Sequence, residues 1–400
     1  MRIIYIPLEP YESRYSLQLL EWNRREFERL GIDYKIIYGQ LLTTSKDINT
    51  GVVLDAHQRP YQALTQIAEL IQMLHNKELK STDFILFEDM FHPGIEALAY
   101  TFNLTEASNL RFSRPLIGMR CLAQTIDPDD FVHYTGMADW MRKYEEMVCR
   151  FIDIVFVASE EMLAFMTSAG WNVNAIVTGL PFGKNEVLER VDDVKGIPFD
   201  SRDRRVAFTS RIADEKQPEF YIAVAREYKK RYLADPVTFS FLSGTKLDSP
   251  LVVRAAIEGI VETYPMLSKN EYYKALLNTR IVFNCALQDW VSNTVSEADA
   301  LGCNTLFPAY RSFPEVFNND HTRLYVPWSV DDAVDKLRSL IRGRHTRTGE
   351  ISNYQDKTIE RTVEAIQKAL DFKFSSISNY PGSDISYRKR IVEKALKGLV

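Results

Sequence analysis

Short runs of apolar and β-branched residues alternate along the chain with longer segments whose apolar residues recur at helical spacing. In residues 16–30, for example, Leu20 and Phe27 share one predicted helix face, while Arg24 and Glu28 lie on the other. Strands that alternate with helices predict βαβ units, and therefore a mostly parallel sheet with helices on both faces. The first half contains six predicted strands, at residues 3–8, 34–38, 84–87, 116–119, 154–158 and 175–178.

The pattern is interrupted at residues 179–183, Gly-Leu-Pro-Phe-Gly, and the charged stretch that follows has the poor periodicity of a linker. It then resumes with a second set of strands and helices. Strands are predicted at 206–209, 237–242, 257–261, 281–285, 305–307 and 324–326, and helices at 218–232, 270–277, 294–301, 330–342, 356–369 and 385–399. The predicted organisation is an N-terminal domain at 1–183, a linker at 184–205, a C-terminal domain at 206–372 and a helix at 373–400 that crosses toward the N-terminal domain.

Composition agrees with this picture and excludes several classes of protein. The chain has 400 residues, 46% hydrophobic and 26% charged, so it can bury a large core, and neither disorder nor a collagen-like helix is expected. No apolar run approaches the roughly 20 residues that a membrane-spanning helix needs, and the N-terminus lacks a signal-peptide pattern. Four cysteines without C-x-x-C spacing predict reduced thiols and no metal site. We expect a cytoplasmic protein.

The net charge of the chain bears on whether it binds nucleic acid. Lys and Arg number 49 and Asp and Glu 54, for a net charge of −5. This balance gives no overall footprint for nucleic acid, although a local basic face could still exist. The basic stretches at 226–231, 342–347 and 388–397 are its candidate components.

The segment from Gln288 to Cys303 carries the most informative polar residues. It follows a buried-strand pattern, and a helix is predicted to begin near Asn293. The free N–H groups and positive dipole end of such a helix form an anion site suited to a diphosphate. One helical turn further on, Glu297 could accept hydrogen bonds from a ribose diol. Gly302 ends the predicted helix, where positive φ is favoured.

This segment resembles the donor-binding signature of retaining glycosyltransferases with the GT-B fold, particularly those of glycosyltransferase family 4. The family pattern is an acidic residue, seven intervening residues, a glutamate and then Ala-x-Ala-x-Gly. It is matched here by Asp289, Glu297, Ala298, Ala300 and Gly302.

Two further elements occur in the order of that family. Arg211 and Lys216 resemble its Arg-x4-Lys element, which follows the first strand of the C-terminal domain, and residues 312–316, Ser-Phe-Pro-Glu-Val, resemble its Pro-Glu-Val turn. The resemblance covers residues 204–342. It implies an α/β protein with the GT-B architecture: two facing, doubly wound Rossmann-like domains, with C-terminal helices packed across their junction.

The resemblance also implies a role for each site residue. Arg211, Lys216 and Asp289 would form the catalytic set: the two cations would neutralise the donor diphosphate as it leaves, and Asp289 would contact a hydroxyl of the donor sugar. The family most often has glutamate at this position, and aspartate reaches about 1.5 Å less far, which affects sugar selectivity. Transfer would retain the anomeric configuration without a metal or cofactor, from a nucleoside-diphosphate sugar that we expect to be a UDP-sugar. The donor-binding set is Ser292, Asn293, Thr294 and Glu297.

The amino-terminal half matches the family less closely. Its first loop has no glycine for close approach to phosphate, but it combines aromatic rings with a cation, a mixture that contacts rings, phosphates or sugars. Polar side chains after two later strands could orient the acceptor, with loop or helix capping as the alternative interpretation. The acceptor-side candidates are Tyr11, Arg14, Tyr15, His92, Gln124 and Asp127.

Several acceptors fit these features. A hydroxymethylated pyrimidine in double-stranded phage DNA is our first hypothesis, since compact phage DNA glycosyltransferases resemble this chain in size and a Tyr- and Arg-rich loop would suit a flipped base. A glycan, a lipid-linked acceptor or a small molecule is the alternative. Outside transfer, a GT-B nucleotide-sugar epimerase could use Asp89, His92 and Asp127, and a non-catalytic binding module is a further class. The sequence carries no signal for an oligomeric state.

Overall fold

The computed structural model describes residues 1–11, 15–43, 56–109, 112–122, 125, 127–193, 196–287 and 289–377. Strands and helices alternate through these ranges. The strands are β1 (Arg2–Ile6), β2 (Asp33–Ile36), β3 (Asp83–Phe87), β4 (Leu116–Arg120), β5 (Ile154–Val157), β6 (Asn174–Val177), β7 (Asp203–Phe208), β8 (Thr238–Leu242), β9 (Glu262–Tyr264), β10 (Thr279–Phe283), β11 (Asn304–Pro308) and β12 (Leu324–Tyr325).

The helices connect these strands and cover the sheets. They are α1 (Tyr15–Arg29), α2 (Gln58–His75), α3 (Ile95–Ser108), α4 (Phe131–Tyr134), α5 (Ala138–Phe151), α6 (Glu160–Ser168), α7 (Lys184–Glu189), α8 (Pro218–Arg231), α9 (Pro250–Ile257), α10 (Lys269–Leu277), α11 (Asn293–Ala300), α12 (Phe313–Val316), α13 (Val330–Leu340), α14 (Glu350–Asp356) and α15 (Thr358–Ile377).

The chain forms two compact units, each built on a six-stranded sheet. The first unit comprises Met1–Pro181 and the chain from Thr358 onward, and the second comprises Phe182–Lys357. Every strand pair in the described residues is parallel. Strands such as β3 and β10 are buried along their whole length, as expected where helices cover both faces of a parallel sheet. The predicted α/β class with two doubly wound sheets is confirmed.

The two sheets differ in strand order. The first runs β2-β1-β3-β4-β5-β6, so the chain reverses direction across the sheet between β1 and β3. The second runs β12-β11-β10-β7-β8-β9, so its reversal lies between β7 and β10. Ligands of open α/β sheets bind beyond the carboxyl ends of the strands at such a reversal.

Eleven of the twelve predicted strands overlap an observed strand, and the prediction at 257–261 is wrong. Ile257 is the last residue of α9, and the strand β9 begins five residues later, at Glu262. Pro250 occupies the first turn of α9, where its missing N–H costs nothing. Val252 and Ala255 are buried at helical spacing, so the apolar run there belongs to a helix.

The domain boundaries differ from the predicted ones at two places. The stretch predicted as a linker contains α7 and the start of β7, and it belongs to the second unit. Helix α15, most of which falls within the predicted C-terminal domain, belongs to the first unit. There it packs against α1, and Lys373 Nζ donates hydrogen bonds to the carbonyls of Ser81 and Arg114 at 3.0 and 2.7 Å. The predicted helix at 385–399 lies outside the described residues.

Candidate functional site

The carboxyl edge of the second sheet carries the candidate donor site. Here β7 and β10 are neighbours, but the chain continues from β7 to β8 on one side and from β10 to β11 on the other. The loops that leave these two strands therefore flank the crevice where ligands bind in such sheets. They bring together Arg211, Lys216 and Asp289.

The loop after β7 presents two cations. Lys216 ends a short 3-10 turn, and its Nζ donates a hydrogen bond to Asp289 Oδ1 at 2.5 Å. The Arg211 guanidinium donates two hydrogen bonds to Glu215 Oε1, the one from Nε at 2.9 Å. Glu215 is buried, whereas the Arg211 side chain is 40% exposed. Arg211 is thus oriented by a fixed carboxylate and remains accessible to a ligand.

A third cation, Arg311, lies in the loop after β11 and was not singled out by the sequence motifs. Its Nε donates to the Leu287 carbonyl at 3.2 Å, and its guanidinium carbon lies 5.3 Å from the ring centre of Trp290 and 4.9 Å from that of Tyr310. Its φ of 52° is in the left-handed region, which costs a non-glycine residue roughly 1–2 kcal/mol. Arg311 therefore braces the loop that carries Asp289. Its signal in the sequence is its position directly before the Ser-Phe-Pro-Glu-Val element.

Helix α11 begins beside these loops. Its N-cap residue, Ser292, accepts no capping hydrogen bond from a backbone N–H of the first turn, and its hydroxyl instead lies 2.8 Å from the side-chain oxygen Thr294 Oγ1. Asn293 Oδ1 and Ser296 Oγ are buried and have no hydrogen-bond partner among the described residues. Buried polar atoms are normally satisfied, and the first-turn N–H groups and the positive helix end favour an anion. The geometry is suited to a ligand rich in phosphate and hydroxyl oxygens.

Glu297 occupies the second turn of α11 and is held by α10. Its Oε1 accepts hydrogen bonds from Lys269 Nζ and Tyr273 OH, both at 2.8 Å, and the residue is only 2% exposed. Lys269 Nζ also lies 5.1 Å from the Tyr273 ring centre. The carboxylate is therefore fixed in place and partly neutralised. Lys269 and Tyr273 were missed because no motif spacing links α10 to α11.

The acceptor-side candidates of the first loop are partly structural. Tyr11 is buried, and Tyr15 OH donates to the Pro181 carbonyl at 2.6 Å within the first unit. Arg14 and Gln124 lie outside the described residues. Tyr15, the first residue of α1, is thus anchored to the end of the segment that follows β6.

His92 is a buried residue of the first unit. Its Nε2 lies 2.9 Å from Gln66 Oε1, and its ring packs edge-on against Phe87 at 4.7 Å between centres. Burial lowers the pKa of His92 well below its usual value, so the imidazole stays neutral. Nδ1 has no hydrogen-bond partner among the described residues. These contacts favour a structural role for this histidine over one in proton transfer.

Asp127 caps a turn within the loop that follows β4. Its Oδ1 accepts a hydrogen bond from the Asp129 N–H at 3.0 Å. Nearby, Thr125 donates to Glu145 through its N–H at 3.1 Å and through Oγ1 at 2.5 Å. Glu145 lies on α5 and is buried. This loop is therefore held by carboxylates, as the capping interpretation predicts for Asp127.

Stability should depend on the protonation of Glu145. Burial raises its pKa from 4.5 to about 7. Between these values the folded state holds a proton that the unfolded state has released, so stability falls as pH rises from about 4.5 to about 7. Replacing Glu145 by glutamine should remove this dependence and stabilise the protein at pH 7.5 by on the order of 2 kcal/mol, measured by urea unfolding.

The matched control is Glu146→Gln, which changes an exposed carboxylate on the same helix. It should follow the wild-type pH profile throughout. If Glu145→Gln and the wild type show parallel stability curves from pH 4.5 to 7.5, Glu145 does not titrate in this range.

Two buried ion-pair clusters lie at the carboxyl edge of the first sheet, beside its reversal point. In one, Glu88 accepts hydrogen bonds from Arg120 at 2.6 and 2.7 Å and from Tyr5 OH at 2.5 Å. Arg120 also donates to Asn23 Oδ1 at 3.0 Å. This network ties β1, β3, β4 and α1 together.

In the second cluster Arg59 of α2 contacts two carboxylates. Its guanidinium donates to Glu9 Oε2 at 3.3 Å and to the Phe91 carbonyl at 2.6 Å, and it lies 3.6 Å from Asp89 Oδ2. Burial raises the pKa of Asp89 to about 6, against the lowering effect of Arg59. Arg59 was missed because it comes from α2, far along the chain from both strand ends.

Within the described residues, no group of three or more His, Cys, Asp or Glu side chains could hold a metal ion. No helix in that part of the chain combines the length and apolar character needed to cross a bilayer.

Comparison with known proteins gives similarity in structure but not in sequence. No protein-family model and no curated protein matches the chain. Among solved structures it resembles a sucrose-phosphate synthase from Thermosynechococcus elongatus (TM-score 0.59, 10% identity, 94% of this chain and 99% of that one). It also resembles a UDP-forming α,α-trehalose-phosphate synthase from Burkholderia vietnamiensis (0.60, 11%, 97% and 99%) and a glycosyltransferase from Rickettsia africae (0.57, 12%, 95% and 99%). At these identities the likeness concerns the fold, which is GT-B.

Proposed function

We propose that this protein transfers a sugar from a nucleoside-diphosphate sugar to an acceptor hydroxyl, with retention of the anomeric configuration. The observation that carries the proposal is the cluster at the reversal point of the second sheet. There, Arg211 and Lys216 lie on one loop, Asp289 pairs with Lys216 at 2.5 Å, and α11 begins directly beyond. Cations beside a helix N-terminus form an anion site that is suited to a diphosphate.

The two cations stabilise the leaving group. In the proposed reaction the acceptor oxygen bonds to the anomeric carbon on the same face from which the diphosphate departs. The bond between that carbon and the phosphate oxygen breaks, and this oxygen takes the acceptor proton. Negative charge builds on the diphosphate in the transition state, where Arg211 and Lys216 are already oriented by Glu215 and Asp289.

The remaining site residues hold the donor. Glu297 binds the ribose hydroxyls, Asp289 binds a hydroxyl of the transferred sugar, and Ser292 and Thr294 contact the phosphates together with the first-turn amides. UDP is the proposed nucleotide, because the trehalose-phosphate synthase of similar fold is UDP-forming.

A sugar or sugar phosphate is the better supported acceptor. The structurally similar enzymes include sucrose-phosphate and trehalose-phosphate synthases. For DNA, the first hypothesis from sequence, the basic stretches give no support. Arg226 pairs with Glu258, Arg231 with Glu227 and Asp331, and Arg347 with Glu350. The third basic stretch, at 388–397, lies outside the described residues.

The direct test is a screen of α-linked nucleotide sugars against sugars, sugar phosphates and hydroxymethylated DNA, with products identified by mass spectrometry and their linkage by NMR. An α-linked sugar product supports the proposal. A β-linked product contradicts retention, and a glycosylated nucleoside assigns DNA as the acceptor. An epimerised donor formed without acceptor identifies an epimerase, and tight donor binding with no turnover identifies a binding module.

Replacing Glu297 by glutamine should weaken donor binding with little change in kcat. The amide cannot form the ion pair with Lys269 and accepts weaker hydrogen bonds from a ribose diol than a carboxylate does, so KM for the donor should rise about tenfold. A donor with a 3′-deoxyribose should lose affinity with the wild type but lose much less with the variant. Steady-state kinetics with both donors checks this.

The control for this variant is Glu219→Gln, an exposed carboxylate on α8, which should leave both KM values unchanged. An equal penalty for the deoxyribose donor in Glu297→Gln and in the wild type would exclude ribose contact by Glu297.

A further inference from the structure

Four side chains of the second unit form a continuous stack from the interior to the surface, here called the aromatic ladder: Trp290, Arg311, Tyr310 and Trp328. The Arg311 guanidinium lies over the rings of both Trp290 and Tyr310. The Tyr310 ring then meets the Trp328 ring at 6.2 Å between centres, with the planes inclined by 57°. Trp290 directly follows Asp289, so the ladder begins at the candidate donor site.

The outer end of the ladder is open. Trp290 and Arg311 are buried, whereas Trp328 is 59% exposed. A large aromatic side chain that is more than half exposed buries only part of its apolar surface, here against Tyr310, so core packing does not account for its position.

The backbone conformation at Trp328 is also unusual for a large side chain. Residues 326–329 form a turn closed by a hydrogen bond from the Ser329 N–H to the Val326 carbonyl at 3.0 Å. Pro327 is its second residue, and Trp328, its third, has a φ of 60°. A turn with proline at its second position and positive φ at its third favours glycine at the third position. A bulky residue such as Trp328 is strained in that conformation. Strain of this kind clusters at functional sites.

Charge around the turn selects among ligands. Asp331 and Asp332 follow the turn after Val330, and Asp332 Oδ2 accepts a hydrogen bond from the Val326 N–H at 2.6 Å. The neighbouring cations are engaged within the unit: Lys336 pairs with Asp332 at 3.1 Å, and Arg231 pairs with Asp331. These ion pairs leave neither Lys336 nor Arg231 available for the phosphates of a polyanion such as DNA. A neutral ligand with an apolar face would not be repelled.

We propose that Trp328 and Tyr310 form a binding platform for a neutral saccharide, on which the C–H face of a sugar ring packs against the indole. Strands β10 and β12 are separated by β11 alone, so their carboxyl ends lie about 10 Å apart. A chain of sugars could therefore span from Asp289 to Trp328. This inference rests on the proposed function for its role, since it makes the ladder the docking site for an oligosaccharide acceptor.

The test labels the full-length protein with 5-fluorotryptophan and follows its five tryptophans by 19F NMR. The Trp328 signal is assigned from Trp328→Phe. Titration with maltotriose, chitotriose and mannotriose should shift the Trp328 signal saturably for at least one sugar. The signal of Trp140, which is 48% exposed in the first unit, should not move.

The variant Trp328→Gly distinguishes a role of Trp328 in saccharide binding from a role in stability. Glycine accepts the positive φ without strain, so the melting temperature should stay the same or rise, while saccharide affinity falls about tenfold through loss of the stacked ring. Trp140→Gly is the matched control and should leave affinity unchanged. A destabilised Trp328→Gly with unchanged affinity would show a purely structural tryptophan and overturn the proposal.

The other outcomes are equally decisive. The platform is excluded if no saccharide moves the Trp328 signal, if only duplex DNA moves it, or if it broadens with protein concentration alone, as for a contact between two copies. Because binding needs no turnover, the platform can hold even if the protein is no transferase. Conversely, an active transferase with wild-type acceptor KM in Trp328→Gly would retain the proposed function and lose the platform.

Discussion

Replacing Arg211 by alanine is expected to lower kcat for sugar transfer about a thousandfold. The guanidinium lies on the loop after β7, where two hydrogen bonds to Glu215 Oε1 fix its orientation before the substrate arrives. In the proposed reaction, this preoriented charge stabilises the transition state, in which the diphosphate becomes more negative, more than it stabilises the bound donor. The loss should therefore appear mainly in kcat, measured with saturating donor.

Folding should survive this change at a cost of about 1–3 kcal/mol, because the buried Glu215 carboxylate loses two hydrogen bonds but the Arg211 position is 40% exposed and open to water. Arg254→Ala, which removes an exposed guanidinium from α9 of the same unit, is the matched control and should retain full activity. Arg211→Lys should recover part of the loss, since it restores the charge without the planar fork. Near-wild-type kcat in Arg211→Ala would refute the assignment of this site.

Replacing Arg120 by methionine is expected to lower the free energy of unfolding by roughly 3–5 kcal/mol. Arg120 and Glu88 are both buried, and the guanidinium supplies two hydrogen bonds to the carboxylate and one to Asn23. Methionine fills similar space but leaves the Glu88 charge with only Tyr5 OH and the Asn23 amide as donors. Urea unfolding at pH 7.5 measures the difference.

The control is Arg24→Met on α1, where the partners Glu21 and Glu28 are solvent-exposed and the expected loss is below about 0.5 kcal/mol. A double variant, Arg120→Met with Glu88→Leu, should recover most of the stability because no buried charge is left unpaired. If Arg120→Met alone costs no more than Arg24→Met, the buried network does not hold the first sheet together.

The candidate site contains some residues that a single sequence identifies and others that it does not. Asp289 and Glu297 lie eight positions apart on one loop and its helix, so their spacing directly reflects their relation in space. Lys269 and Arg311 reach the same site from α10 and from the loop after β11. Their position near Glu297 and Asp289 depends on which strands are neighbours in the sheet. The periodicity within a single segment carries no information about strand order.

The sequence by itself determined the elements of this protein. Alternation of apolar runs with helical patterns predicted eleven strands, their parallel pairing and the loops that carry Arg211, Lys216 and Asp289. These properties depend on backbone preferences and side-chain periods within about ten residues, which a local stretch of chain expresses directly.

Only the tertiary structure decided how these elements are arranged. Both halves of the sequence show the same βαβ pattern, yet β1 has β2 and β3 as neighbours, whereas β7 lies between β8 and β10. Helix α15 returns to the first unit, and Trp328 stands open at the end of a stack that begins beside Asp289. Strand order, buried ion pairs and ring contacts join residues far apart in the chain, so they follow from the packing of the whole unit and not from any local pattern.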